Sequence, residues 1–319
     1  MPPVSLLIPC FQAGRLLPRL IRSARSQRIP FSEIIAYDDG STDETLAVAR
    51  SLGIAIHAGG VSRGLSHARN QLAEAARGEW IHFHTPNDEL APDFLERLGR
   101  ECNARNDLVT CDADWIDDST GARHRACRYE PDRLHHDPTR CLLGQPMSLS
   151  QTLINRDRWL VLSGCDETMR SWDEAEVIFR FALEGAVFHH VPEVLTWLHP
   201  QGDGPGTHAR ESARDQLAFL RKHALDPRVA HLRERLAAQA EETAVNLIEL
   251  GDRPSAAEAA RLAQRLGRRL PTSQHAAWSI LRPCFPGFAL LRLQTRLRRR
   301  GKSPKTVLSP ESDSSPHTP

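Results

Sequence analysis

The segment Tyr37-Asp38-Asp39-Gly40-Ser41-Thr42-Asp43 decides the fold, because it places two carboxylates and a glycine directly after a short apolar run. That run, Ile34-Ile35-Ala36, predicts a buried strand, and the Asp-Asp-Gly sequence predicts a turn at its end. Ser41 or Thr42 can cap the next helix, and Ser41 and Glu44 have the spacing of a capping box. The segment therefore predicts a strand, a polar turn and a helix.

The same alternation continues on both sides of this segment. Residues 4–8, 54–56 and 79–84 predict further strands, and apolar residues at helical spacing predict helices between them. Strands that alternate with helices at short intervals form βαβ units. We therefore expect an α/β fold with a mainly parallel sheet flanked by helices. Ligands in such folds bind beyond the carboxyl ends of the strands, so residues that follow the strands are the site candidates.

Composition and charge exclude several classes of protein. The chain has 319 residues, of which 40% are hydrophobic and 25% charged, and its formal net charge of +1 gives no reason to expect a nucleic-acid partner. No stretch approaches the roughly 18 consecutive apolar residues of a membrane-spanning helix. The seven cysteines form no Cys-x-x-Cys pair, which disfavours a zinc ribbon or a disulfide scaffold and favours a reducing compartment.

The C-terminal part of the sequence differs in character. Residues 210–302 predict a helical region, and the Ser-, Pro- and Thr-rich residues 303–319 predict a disordered tail. Residues 285–302 mix Phe and Leu with Arg and Lys. This pattern is typical of a basic amphipathic helix on an anionic membrane surface, or of a helix that packs on the rest of the protein. We therefore expect an α/β domain over residues 1–205, followed by these two regions.

Four segments, in this order and spacing, resemble the family 2 glycosyltransferases: residues 4–12, residues 37–43, Ala68-Arg69-Asn70, and residues 76–81. Residues 164–167 and 173–180 resemble that family's motifs on the acceptor side. The resemblance covers about residues 4–200. It implies the GT-A fold and the use of a nucleotide-diphosphate sugar as donor.

The resemblance also implies donor-binding residues. Asp39 matches the family's base-binding aspartate, although an aspartate at this position also suits a turn or a helix cap. Arg69 matches an arginine near the nucleotide, where a guanidinium can contact phosphate or base in a fork. The alternative is an arginine solvated on a helix surface. Pro9 and Phe11 are expected to line the nucleotide pocket or to pack at the strand end.

The expected metal site departs from the family pattern. The family has an Asp-x-Asp motif after the fourth strand, and its carboxylates hold Mg²⁺ or Mn²⁺ at the diphosphate. Here Thr85-Pro86-Asn87 replaces that motif, and the acidic residue that remains is Asp88. An amide oxygen is a weaker ligand for a hard cation. Either Asn87, Asp88 and His199 bind a metal, or the metal is lost and a basic side chain such as Arg63 stabilises the leaving diphosphate.

An inverting transfer also needs a general base. The acceptor hydroxyl attacks the anomeric carbon from the side opposite the diphosphate, and a carboxylate removes its proton. The resemblance aligns Glu174 with the family's base, six residues before Arg180, and Asp173 is the neighbouring candidate. Acidic residues also interact favourably with the dipole at a helix N-terminus, which is the alternative explanation.

These observations predict an inverting glycosyltransferase with a saccharide or lipid-linked acceptor in cell-envelope polysaccharide synthesis. We expect a cytoplasmic protein that attaches to the inner face of the membrane through residues 285–302 and binds no nucleic acid. The main alternative is a non-catalytic nucleotide-sugar-binding protein that has lost its Asp-x-Asp metal site. A dinucleotide oxidoreductase is disfavoured because no Gly-x-Gly-x-x-Gly follows the first strand.

Overall fold

The structure, a computed structural model, describes residues 1–199 and 209–268. Contacts between residues divide the chain into a first unit, Met1–Leu232, and a second unit that begins at Arg233. The basic segment 285–302 and the tail 303–319 lie outside the described residues. The domain boundaries expected at residues 205 and 210 therefore stay a prediction.

A nine-stranded sheet lies at the centre of the first unit. Its strands are β1 (Val4–Cys10), β2 (Glu33–Asp38), β3 (Ala55–Ala58), β4 (Trp80–Phe83), β5 (Glu89–Leu90), β6 (Leu108–Ile116), β7 (Arg123–Cys127), β8 (Thr152–Asn155) and β9 (Phe188–Leu198). The strand order is β3-β2-β1-β4-β8-β6-β9-β5, and β7 pairs with β6 beside this path.

Most of the strands run in one direction. The pairs β1–β2, β2–β3, β1–β4 and β6–β9 are parallel. Strand β8 is antiparallel to both β4 and β6, so β6 and β9 point the same way as β1 to β4. The predicted α/β class is therefore confirmed. The carboxyl ends of β1, β2, β3, β4, β6 and β9 share one edge of the sheet, where a ligand is expected.

Helices cover both faces of the sheet in the first unit. They are α1 (Leu17–Arg25), α2 (Thr45–Ser51), α3 (Leu65–Ala75), α4 (Phe94–Gly99), α5 (Pro131–His136), α6 (Pro138–Gly144), α7 (Arg156–Val161), α8 (Asp173–Leu183) and α9 (Ala209–His223). All seven residues of β1 are buried, as expected of a strand covered on both sides. Leu6 and Ile8 of β1 join one core with Leu17 of α1 and Phe94 of α4. Each buried side chain of this size contributes about 1.5–3 kcal/mol.

The turn after β2 differs from its predicted capping box. Helix α2 begins at Thr45 without a side-chain cap, and the Ser41 hydroxyl instead accepts a hydrogen bond from the backbone N–H of Gln12 at 2.9 Å. The Thr42 hydroxyl likewise accepts from the Gln12 side chain, so the capping prediction is wrong for both residues. They join the loops that follow β1 and β2. Gly40 has φ +80°, and a Cβ there would lie 2.8 Å from the backbone nitrogen of Ser62. Glycine is thus required in this turn.

The second unit contains α10 (Arg233–Glu249) and α11 (Arg253–Arg265). Both helices bury a stripe of Ala and Leu side chains, and the Asp252 carboxylate caps α11 by accepting from the Ser255 N–H at 3.3 Å. The predicted C-terminal helical extension is confirmed by these two helices. Across the described ranges we find no helix with both the length and the apolar character needed to cross a membrane.

Candidate active site

Polar and aromatic side chains gather where the parallel strands end. Phe11 follows β1, Asp39 follows β2, Asp88 lies in the segment between β4 and β5, and His199 follows β9. Because these strands share a direction, the four residues lie along the same edge of the sheet. The remaining predicted residues lie on helices, with Arg69 in α3 and Asp173 and Glu174 in the first turn of α8.

Asp39 anchors the loop that leads into α3. Its Oδ2 accepts from the Ser62 hydroxyl at 2.7 Å and from the Gly64 N–H at 2.8 Å, and its Oδ1 accepts from the Arg63 N–H at 2.8 Å. The neighbouring Asp38 forms the turn instead, accepting from the Ser41 N–H at 3.2 Å. Oδ1 of Asp39 takes one donor and keeps a lone pair for a further hydrogen bond.

The two residues predicted to line a nucleotide pocket differ in exposure. Pro9 is buried within β1, where it lies opposite Tyr37 of β2. Phe11 is 50% exposed directly after the strand. Its neighbour Gln12 has φ 51°, and the Gln12 side-chain amide donates to the Thr42 hydroxyl at 2.9 Å. Phe11 therefore offers an aromatic surface at this edge, whereas Pro9 is enclosed within the sheet.

Arg69 lies between the two predicted catalytic carboxylates. Its guanidinium contacts both Asp173 and Glu174, and Asp173 also accepts from the Ser66 hydroxyl at 3.0 Å. Burial opposes the charge of Arg69, yet the two carboxylates raise its pKa above the ordinary value. Since a buried charge needs partners, the three side chains form one ionic unit across α3 and α8.

Glu174 differs from Asp173 in exposure. The Glu174 side chain is 24% exposed, whereas that of Asp173 is 3% exposed. The second oxygen of Glu174 accepts from the Ser148 hydroxyl at 2.9 Å and from the Leu149 N–H at 3.0 Å. Glu174 is therefore held in orientation on two sides and still reaches solvent.

A short turn around Leu149–Gln151 joins Glu174 to the segment where the Asp-x-Asp motif was expected. Ser148 and Leu149 of this turn are bonded to Glu174. The next residue, Ser150, has its hydroxyl 3.0 Å from the Thr85 hydroxyl and 3.4 Å from Asp88 Oδ2. One turn thus contacts both carboxylates. It is the structural link between the candidate base and the candidate diphosphate position.

The three predicted metal ligands lie together, because Asn87 and Asp88, between β4 and β5, are bonded to His199 at the end of β9. The Asn87 amide donates to the His199 carbonyl at 2.7 Å, and the His199 N–H donates to Asp88 Oδ1 at 2.9 Å. The His199 imidazole faces two other carboxylates, 2.5 Å from Asp118 and 3.1 Å from Glu89. Burial raises the pKa of Asp88 to about 6, although hydrogen bonds from His199 and Thr85 favour the charged form and oppose this shift.

This donor set does not fit a Mg²⁺ or Mn²⁺ ion. Thr85 and Asn87 are neutral, so Asp88 is the one carboxylate among the predicted ligands, and the Asn87 backbone carbonyl accepts from the Arg19 guanidinium. Within residues 1–199 and 209–268, no group of three or more His, Cys, Asp or Glu side chains is placed to hold a metal ion. Hard divalent cations prefer several anionic oxygens, which these residues do not supply.

Several contacts of this region carry no recognisable sequence signal. Ser148 and Ser150 belong to no motif, and Arg19 lies far along the chain from Asn87. Glu167 is different, because it falls in a segment that resembles an acceptor-side motif. Its carboxylate lies 3.4 Å from the guanidinium of Arg63, whose side chain is 61% exposed.

A buried ionic cluster anchors α8. The Glu176 carboxylate, fully buried, lies 2.6 Å from Arg180, 2.9 Å from Lys222 and 3.1 Å from His223. Burial opposes its charge, but hydrogen bonds from His223 and Arg180 hold the pKa of Glu176 well below its usual range. The cluster ties α8 to α9, and thereby fixes the first turn that carries Glu174.

The sequence matches known proteins over its first half. The family model described as glycosyl transferase family 2 matches residues 5–166. The chain is 34% identical over 116 residues to the putative glycosyltransferase EpsH of Bacillus subtilis, covering 34% of this chain and 33% of that protein. It is 29% identical over 115 residues to the succinoglycan biosynthesis protein ExoO of Rhizobium meliloti, covering 35% and 33%. The match spans about a third of the length of either relative.

Solved structures resemble the fold over nearly the whole chain. S. aureus TarS 1–349 in complex with UDP-GlcNAc has a TM-score of 0.68 at 14% identity, covering 94% of this chain and 92% of that one. The mannosyltransferase PcManGT from Pyrobaculum calidifontis in complex with GDP-Man and Mn²⁺ has a TM-score of 0.59 at 16% identity, covering 92% and 84%. At these identities the likeness establishes the fold alone.

Proposed function

The chain belongs to glycosyltransferase family 2, with the GT-A fold expected from the sequence, and from this membership we propose that it transfers a sugar from a nucleotide-diphosphate donor to an acceptor hydroxyl with inversion. The observation that carries the proposal is the unit of Arg69, Asp173 and Glu174. In this unit the Glu174 carboxylate is partly exposed and fixed in orientation. The turn that contains Ser148 and Ser150 contacts both Glu174 and Asp88.

Glu174 is the proposed general base. Its exposure supports this role, because an acceptor hydroxyl must reach the carboxylate that removes its proton. Oε1 of Glu174 accepts one hydrogen bond, from Arg69, and keeps a second lone pair, so it can take up a proton while Ser148 and Leu149 hold Oε2 in place. Asp173 is buried against Arg69, which supports a positioning role for it.

The nucleotide is proposed to bind at the ends of β1 and β2. The free lone pair on Oδ1 of Asp39 suits a base N–H, and the exposed ring of Phe11 suits stacking on the base. Pro9 is buried within β1 and is proposed to form the base of this pocket. Arg69 is predicted to contact the nucleotide as well. Its two terminal nitrogens already contact Asp173 and Glu174, so a phosphate would share the guanidinium with these carboxylates.

The diphosphate is proposed to lie beside Asn87 and Asp88. Because the described residues do not fit a metal ion, the charge of the leaving group is assigned to protein side chains. The exposed guanidinium of Arg63 suits this role. The backbone N–H of Arg63 is bonded to Asp39, so Arg63 lies next to the proposed binding site of the nucleotide base. A dependence on Mg²⁺ or Mn²⁺, through Asn87, Asp88 and His199, remains the competing prediction.

The acceptor is proposed to be a saccharide or lipid-linked saccharide made for the cell envelope. The similarity to a protein named for succinoglycan biosynthesis supports a polysaccharide pathway. A cytoplasmic location at the inner face of the membrane, with attachment through residues 285–302, is part of the same proposal. That segment lies outside the described residues, so liposome binding by the full chain is its test.

A non-catalytic nucleotide-sugar-binding protein is the second candidate. The replacement of the Asp-x-Asp motif by Thr85-Pro86-Asn87 favours it. A panel of UDP-, GDP- and dTDP-sugars separates the two functions, with release of the nucleoside diphosphate as the readout. Release from one donor, increased by a saccharide acceptor, supports the transferase. Donor binding without any release, with or without Mn²⁺, supports the binding protein.

A further inference from the structure

The hairpin of β6 and β7 carries a cluster of basic residues beside the candidate active site. Strand β7 begins with Arg123, His124 and Arg125, and all three are exposed. Its hydrogen-bonded neighbour in the sheet is β6, so the face of β7 extends the surface formed by β6 and β9.

The strand register decides which of these side chains share a face. Arg125 pairs with Asp114 of β6, and Asp114 pairs in turn with Trp197 of β9. Directly paired residues point to the same face, and residues two apart on one strand do so as well. Arg123, Arg125 and Trp197 therefore share one face. The Arg123 guanidinium lies over the Trp197 ring, 4.8 Å from its centroid.

The carboxylates near this face are engaged by other groups. Asp114 is bonded to Arg128, and Glu89, opposite Trp197, and Asp118, in the hairpin loop, both face the His199 imidazole. Across residues 1–199 and 209–268, no carboxylate forms an ion pair with Arg123 or Arg125. We call these two residues the hairpin arginines. They present two guanidinium groups with free donors, which is the arrangement that recognises carboxylates and phosphates in a fork.

The face adjoins the candidate active site. Trp197 lies two residues before His199, whose N–H is bonded to Asp88. The hairpin loop also reaches the site, because Asp118 lies 2.5 Å from the His199 imidazole. A molecule bound along the hairpin arginines therefore leads toward the proposed diphosphate position.

We propose that the hairpin arginines bind an acceptor saccharide that carries carboxylate or phosphate groups. The stacking of Arg123 on Trp197 supports this role, because a guanidinium held in place loses less conformational entropy when it binds. The assignment of the ligand as the acceptor rests on the proposed function. The binding of an anionic saccharide by this face does not depend on the proposed function.

The test compares the full chain with the Arg123→Gln/Arg125→Gln variant in direct binding titrations. The probes are oligogalacturonate for carboxylates, poly(glycerol phosphate) for phosphates, neutral dextran, and phosphatidylglycerol vesicles. Arg22→Gln/Arg50→Gln is the matched control, since it removes the same charge from two exposed helix positions. Nucleoside diphosphate binding and donor turnover are measured for every protein.

The proposal expects binding of oligogalacturonate or poly(glycerol phosphate), no binding of dextran, and an affinity at least about tenfold weaker in the hairpin variant alone. Equal loss in the control variant, equal binding of dextran, or no anionic binding overturns it. If the protein binds vesicles more tightly than saccharides, and this binding depends on the hairpin arginines, the proposal is wrong and the ligand of this face is a membrane surface. If hairpin-dependent saccharide binding persists while no donor turns over, the proposed function fails and the anionic site remains.

Discussion

The guanidinium of Arg69 contacts the carboxylate of Glu174, although the two residues belong to different helices and lie 105 positions apart. The same guanidinium contacts Asp173, so one buried cation is shared by a buried and a partly exposed carboxylate. The arginine predicted to bind the donor and the residue predicted to be the base therefore form a single unit.

Substitution of Arg69 should destabilise the protein strongly. In Arg69→Met the buried carboxylate of Asp173 loses its charge partner, which costs about 3–5 kcal/mol of unfolding free energy. Urea denaturation measures this loss. Arg22→Met, at an exposed position of α1, should change stability by less than about 0.5 kcal/mol. A loss in Arg69→Met as small as in this control would contradict the ionic unit.

Asp39→Asn should loosen the loop before α3 and weaken nucleoside diphosphate binding. An amide nitrogen cannot accept from the Ser62 hydroxyl or the Gly64 N–H, so the loop loses part of its anchor. We expect at least about a tenfold loss of affinity, together with faster amide exchange at Arg63 and Gly64. Ser62→Ala, which keeps the carboxylate, is the control. Unchanged affinity in Asp39→Asn would remove Asp39 from the donor site.

Nucleoside diphosphate binding should not depend on Mn²⁺. Thr85 and Asn87 supply no negative charge, so Asp88 is the one carboxylate that the altered motif offers to a cation. Calorimetric titrations in EDTA and in Mn²⁺ should give dissociation constants within about a factor of two. A gain of about tenfold or more in Mn²⁺ that is lost in Asp88→Asn would show instead that Asn87, Asp88 and His199 form a metal site.

Stability should fall as the pH drops from about 6.5 toward 4, because His82 is buried as a neutral ring. Its Nδ1–H donates to the Thr152 carbonyl at 3.0 Å, and its Nε2, 3.1 Å from His84 Nδ1, is then the acceptor of that pair. Burial lowers the pKa of His82 to about 4. Above pH 6.5 the ring is neutral in both states, whereas below it the unfolded chain gains a proton that the folded state excludes.

Denaturation of wild type and His82→Gln across this pH range checks the prediction. The side-chain amide of the variant can still donate to Thr152 and accept from His84, but it does not titrate. The decline between pH 6.5 and 4 should therefore be smaller in the variant. An equal decline in both proteins would assign the pH dependence to other groups.

The first ninety residues could be predicted well because their signals are local. Short apolar runs mark β1, β2 and β4, and helical spacing marks α3. Strand β8, Thr152–Asn155, was not predicted. Two of its four residues are polar, and it is a strand because β4 and β6 pair with it on both sides. Tertiary pairing of this kind leaves no local pattern to read.

The residues of the candidate site could be predicted from the sequence, but the contacts between them could not. Asp39, Arg69 and Glu174 were identified one by one, from motifs that resemble a family. The ion pair of Arg69 with Glu174 joins residues from separate motifs, and Ser148 and Ser150 contact the site from a turn without any motif. Such contacts depend on how distant segments pack together. A sequence pattern read within one segment carries no information about them.

The kinetics of Glu174→Gln test the central claim most directly. The turnover number for sugar transfer and the affinity for the nucleoside diphosphate are measured in wild type, in Glu174→Gln, and in Glu74→Gln as a control at an exposed position of α3. We predict that Glu174→Gln lowers turnover by about a hundredfold or more and leaves the affinity unchanged, because the amide has the same size as the carboxylate but cannot take up the proton. Turnover in Glu174→Gln equal to that of the control would contradict the assignment of Glu174 as the general base.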